Sequence, residues 1–115
     1  MPWLLRDGEV LASVEVADRA AARARGLLGR DSIDGALLLR PAASVHTLGM
    51  RFPIDVAYCD GDLVVLEVAR MGCWRVGRPR RAARAVVEAE AGAFERWRLR
   101  PGDELEVADG PIGTP

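Results

Sequence analysis

Apolar residues fall into short runs along this chain, separated by polar or glycine-containing pairs. The clearest runs are Ile54–Cys59 (Ile-Asp-Val-Ala-Tyr-Cys) and Asp62–Arg70 (Asp-Leu-Val-Val-Leu-Glu-Val-Ala-Arg). Asp60-Gly61 between them suits a two-residue hairpin turn, in which both central residues need positive φ. That register sets Cys59 opposite Asp62, Ala57 opposite Val64 and Asp55 opposite Leu66. Alternation then puts Asp55, Ala57, Cys59, Val64 and Leu66 on one face and Ile54, Val56, Tyr58, Leu63 and Val65 on the other. Both faces are largely apolar, as expected of strands covered on both sides. Asp55 is a carboxylate in apolar company and requires hydrogen-bond partners.

The same pattern predicts the other elements. Trp3–Leu5 and Val10–Val16 read as a first hairpin around Arg6-Asp7-Gly8-Glu9. Asp18 is a good N-cap for an Ala/Arg-rich helix over about 18–28. Ala36–Leu39 reads as a short covered strand and Ala85–Glu90 as another. Gly92 opens a helical turn over about 92–98, and Glu104–Val107 is the last strand. These elements predict an α+β, β-rich fold: a compact, strongly curved sheet or partly closed barrel with one short helix and one helical turn. Residues 1–108 form the expected single domain, and 109–115 a frayed tail. The hairpin sends the loop His46–Pro53 and the segment Met71–Arg75 to one common end. Cys59 lies at the other end, roughly 30 Å from Cys73 along an extended strand. A disulfide needs Cα atoms within about 7 Å, so none is expected.

Composition narrows the function classes. With 115 residues, 50% hydrophobic and 29% charged, the chain is expected to fold rather than remain disordered. A net charge of −1 argues against wholesale nucleic-acid or membrane binding. All 16 basic residues are Arg, and Lys, Asn and Gln are absent. Ser and Thr are scarce, which leaves few positions for a hydroxyl nucleophile. The start, Met1-Pro2-Trp3-Leu4-Leu5, lacks the pattern of an export signal, and no run approaches the ~20 apolar residues of a membrane span. Two cysteines without an export signal place the expected location in the cytoplasm.

Several segments, taken in order, resemble a known family. They are Arg23–Arg30 (Arg-Ala-Arg-Gly-Leu-Leu-Gly-Arg), His46–Val56 (His-Thr-Leu-Gly-Met-Arg-Phe-Pro-Ile-Asp-Val), Asp60-Gly61, Val86–Gly92 and Leu99–Asp103. The succession resembles the bacterial and archaeal family known as domain of unknown function 192, from about Val10 to Val107. Its most specific part is Pro53-Ile54-Asp55, preceded by His46-Thr47 and followed by the hairpin. The resemblance implies a small β-rich fold with an accessory helix and no established activity. Many members carry Trp-Met-Lys-Asn-Thr before the Pro-hydrophobic-Asp core, often behind an export or lipoprotein signal. This chain carries His46-Thr47-Leu48-Gly49-Met50 there.

The candidate chemistry gathers on that common end. His46 and Asp55 flank one loop, and a carboxylate that orients an imidazole makes a general base. The structural alternative is that Asp55 caps amides of the His46–Arg51 loop and His46 fills a half-buried slot. Thr47 and Cys73 are the hydroxyl and thiol near the rim, and neither sits in a nucleophile-elbow context. His46, Met50, Met71 and Cys73 form a thin soft-metal set, more simply read as two core methionines beside unrelated residues, so no metal or cofactor is expected. Between Val68 and Val87 there is no acidic residue, whereas Arg70, Arg75, Arg78, Arg80, Arg81 and Arg84 accompany Trp74. Guanidinium forks match carboxylate and phosphate geometry, and an indole offers a stacking face. Glu88 is either a second acid working with Asp55 or a partner for one of the arginines.

The leading expectation is a small binding or interaction module. Its rim, formed by 46–53 and 71–75, would recognise an anionic small molecule or an acidic protein segment through Met50, Arg51, Trp74 and Arg75. Nucleic acid is not an expected partner. The alternatives are a small enzyme using His46 and Asp55 as an acid–base pair, and an accessory interaction subunit of a larger assembly.

Overall fold

The structure is a computed structural model and describes residues 2–19, 22–23, 26–27 and 29–110. Seven strands form one curled sheet: β1 (Trp3–Arg6), β2 (Glu9–Ala17), β3 (Ala36–Leu39), β4 (Ile54–Cys59), β5 (Val65–Met71), β6 (Ala85–Glu90) and β7 (Leu105–Ala108). Their order across the sheet is β5-β4-β6-β3-β2-β1-β7. Among the described residues, only the β2–β3 pairing is parallel. The sheet is not a closed barrel, but its two outer strands meet at one corner. There Val64 bridges Glu104, Val65 N–H donates to the Asp103 carbonyl (2.8 Å), and Gly102 N–H donates to the Val65 carbonyl (2.7 Å). The curvature thus covers most of the edge that a flat sheet would leave open at that corner.

β3 and β4 are buried along their whole length, and β6 is buried except at Glu90. Alternating side chains therefore feed two apolar clusters, one on each face. Leu4, Val14, Leu38, Ala57, Val87 and Phe94 belong to one; Leu37, Ile54, Val56, Tyr58, Val86 and Leu27 belong to the other. This is the two-sided covering that the apolar run Ile54–Cys59 requires.

The hairpin register differs from the one its sequence suggests. Asp55 faces Arg70, Ala57 faces Val68 and Cys59 faces Val65, with a bulge between Tyr58 and Cys59. The connection is longer than two residues. The Asp60 carboxylate accepts from the amides of Asp62 (2.9 Å) and Val64 (3.0 Å), while Leu63 takes a left-handed conformation, φ 63°. A side chain that satisfies two loop amides stabilises this wider turn. The change also moves Leu63 and Val65 into the cluster of Ala57 and Cys59 and leaves Leu66 exposed. The two-residue turn with two positive φ values occurs instead at Asp7-Gly8 (φ 52° and 78°), between β1 and β2.

The helical turn predicted over 92–98 is α1 (Ala93–Trp97), entered through Gly92 at φ 100°. The helix expected over about 18–28 lies partly outside the described residues. Within them, Arg23 N–H donates to the Arg19 carbonyl and Gly26 N–H to the Ala22 carbonyl, both 2.9 Å, with helical spacing. Of the tail expected at 109–115, residues 111–115 lie outside the described residues, and Gly110 accepts a hydrogen bond from the Trp3 indole (2.9 Å).

Candidate functional site

The segments around His46 and Trp74 are joined by backbone pairing. His46 bridges Val76, Thr47 N–H donates to the Arg75 carbonyl (2.7 Å), Trp74 N–H to the Thr47 carbonyl (2.9 Å), and Gly77 N–H to the Val45 carbonyl (2.8 Å). Thr47 holds this arrangement. Its side chain is fully buried, donates to the Gly72 carbonyl (2.7 Å) and accepts from Arg75 N–H (2.8 Å). Gly77 permits the close approach, because a Cβ there would stand 2.6 Å from the Val45 carbonyl oxygen. The result is a pinned loop that presents Trp74 at 65% exposure and Val76 at 73%, with Arg75 and Arg78 exposed beside them.

Between this loop and β5 runs an open groove of about 420 Å³, lined by Tyr58, Arg70, Met71, Arg75, Arg78 and Arg80 among others. Its cations are of two kinds. Arg80 makes a two-pronged pair with Glu67 (3.2 and 2.7 Å), lies 4.2 Å over the Tyr58 ring, and donates to the Tyr58 hydroxyl. That pairing holds Glu67 below the ordinary carboxylate range, and burial pushes the Tyr58 hydroxyl up. Arg70 is likewise matched, through Nε to Asp55 at 2.9 Å. Arg75 and Arg78 have no carboxylate partner among the described residues. The groove therefore carries uncompensated positive charge on a fixed backbone.

Asp55 is not part of that rim. It is 4% exposed and fully engaged. One oxygen accepts from Gly92 N–H (2.9 Å) and Phe94 N–H (3.1 Å), and the other accepts from Arg70. It thus caps the start of α1 rather than the His46–Arg51 loop, and does so from a different strand. His46 is exposed. Its neighbours Val45 and Met50 pack into the cluster of Ile54, Val56 and Tyr58, on the sheet face opposite Asp55. Among the described residues no hydrogen bond joins the imidazole to this carboxylate. Asp55 and Glu88 also lie on opposite faces, since Asp55 is level with Ala89 and Glu88 with Val56. Glu88 is buried and makes no ion pair among the described residues; burial pushes its carboxyl up to about 7.

Other candidates are displaced by packing. Met50 and Met71 are core residues, so Met50 is not a surface contact. Arg51 turns away from the groove to pair with Asp31 at 2.8 Å. Cys59 and Cys73 are free thiols, and burial pushes the Cys59 thiol up to about 12, which keeps it protonated and unreactive. The Thr47 hydroxyl is occupied by the loop it pins. Sequence reasoning missed the Thr47 clamp and the Tyr58–Glu67–Arg80 trio. The trio was recoverable only from the correct register, which sets Tyr58 opposite Glu67.

A second open groove, of about 500 Å³, lies across β5 from the first. It is lined by Val68, Arg70, Phe94, Arg98, Leu99 and Arg100 among others. Arg98 and Arg100 also lack carboxylate partners among the described residues. Among those residues, no helix is long and apolar enough to cross a membrane.

Comparison with known proteins agrees with the fold and assigns no activity. A UPF0127 protein from Pyrococcus abyssi is 30% identical over 98 residues, covering 81% of this chain and 84% of the relative. One from Pyrococcus furiosus is 32% identical over 103 residues, covering 85% and 89%. A crystal structure of a protein of unknown function from Novosphingobium aromaticivorans superimposes with a TM-score of 0.78 at 21% identity, covering 91% of this chain and 82% of that one. The family model DUF192, Uncharacterized ACR, matches residues 4–107, so this chain belongs to the DUF192 family.

Proposed function

We propose that this chain is a small binding module that recognises an anionic ligand at the rim where the 46–53 and 71–75 segments meet. The observation that carries the reading is charge left over on a rigid loop. Arg75 and Arg78 line a groove without carboxylate partners among the described residues, beside an exposed indole, while Arg70 and Arg80 are already matched. A pinned backbone spares the cost of ordering the loop when its guanidinium groups grip a carboxylate or phosphate. The three hydrogen bonds to Asp55 remove it from acid–base work and weigh against the enzyme reading. The two free thiols fit a reducing compartment such as the cytoplasm.

The test is chemical-shift mapping with inorganic phosphate, citrate and poly-L-glutamate at low salt. The expected result is a shift of the Trp74 indole and of the Arg75 and Arg78 side-chain resonances with at least one probe, lost in the R75A/R78A variant. The reading fails if no probe moves them, or if the double variant binds as well as the parent.

A further inference from the structure

The proposal here rests on the anion-binding reading and names the partner. We infer that the outer edge of β5 accepts an extended acidic segment of a partner protein as an added strand. β5 pairs with β4 on one side only. On the other, Val65 is satisfied by Gly102 and Asp103, but no backbone partner reaches Leu66–Arg70 among the described residues. Peptide groups of alternate residues there face outward, the arrangement to which an incoming strand pairs.

Two further observations say what that strand carries. Both grooves include Ala69 and Arg70 in their walls, so the edge has a trough on each face of the sheet. Side chains of an added strand point alternately to the two faces and so enter the two troughs in turn. One trough offers Arg75 and Arg78, the other Arg98 and Arg100, and none of these has a carboxylate partner among the described residues. Glu67 is committed to Arg80, which leaves Glu95 as the exposed acid in either wall. Acidic side chains on both faces of the incoming segment are therefore complementary. A second copy of β5 would bring the same arginines against themselves, which disfavours self-pairing.

The probe is a short fluorescent peptide of repeating Glu-Glu-Val-Val, which as a strand presents acids to both faces. Its control carries proline in place of one central Val, which removes a strand amide. Anisotropy measures binding, and amide hydrogen exchange reports protection along β5. The expected result is binding about tenfold tighter for the regular peptide, slowed exchange at alternate amides within Leu66–Met71, and a loss of about tenfold in each of R75A/R78A and R98A/R100A. Equal binding of both peptides overturns strand addition while leaving the anion-binding reading intact. So does response to phosphate or citrate without peptide binding. A single-stranded oligonucleotide that outcompetes the peptide, or concentration-dependent self-association through β5, also overturns it. If neither peptides nor simple anions bind, both readings fall.

Discussion

Replacing Glu88 with Gln tests the buried core directly. Glu88 sits on β6 between Leu37 of β3 and Val56 of β4, with Oε1 4.0 Å from where a Cβ on Gly26 would be. Burial moves its carboxyl from an ordinary 4.5 up to about 7. Below the lower value the group is protonated in folded and unfolded chains alike, and its favourable contribution is fully present. As pH rises between the two values, the unfolded chain releases the proton while the folded one keeps it, so stability falls. The gap, at about 1.4 kcal/mol per pH unit, amounts to a loss of about 3 kcal/mol that is complete just above pH 7. Urea unfolding of parent and E88Q at pH 5 and pH 8 measures it. The parent should lose about 2–3 kcal/mol more than E88Q across that window, and E88Q should be the more stable protein at pH 8 by a similar amount. Parallel pH profiles for the two proteins would refute the assignment.

Two other substitutions probe the scaffold. Asp55→Ala strands the amides of Gly92 and Phe94; it should cost about 2 kcal/mol or more in denaturant unfolding, and a cost under about 1 kcal/mol would show that α1 does not depend on this cap. Thr47→Val keeps the shape but removes the bonds to Gly72 and Arg75, at about 1–3 kcal/mol. Amide exchange at Trp74 and Arg75 should accelerate with it, and unchanged exchange would show that the clamp is not what holds the loop.

Strand identities and the common end of the central hairpin could be read from sequence, because runs such as Ile54–Cys59 and Ala36–Leu39 state their burial in side-chain type alone. The two Asp-Gly pairs mark the limit of that reading. Asp7-Gly8 forms the tight turn, while Asp60-Gly61 opens a wider one, because Asp60 satisfies two amides and the Gly102–Leu105 backbone waits beside Leu63 and Val65. That one difference rewrites which residues face each other. It puts Arg70 opposite Asp55 and Glu67 opposite Tyr58, so it decides which arginines are matched and which remain free. The sequence by itself determined the strands, the two-sided covering of Ile54–Cys59 and the meeting of the His46 and Trp74 segments. Only the tertiary structure decided that Asp55 holds α1, that Arg51 belongs to Asp31, and that Arg75 and Arg78 have no carboxylate partner among the described residues. Local pattern records what each residue avoids or prefers, whereas charge pairing depends on register and on neighbours brought in from distant parts of the chain.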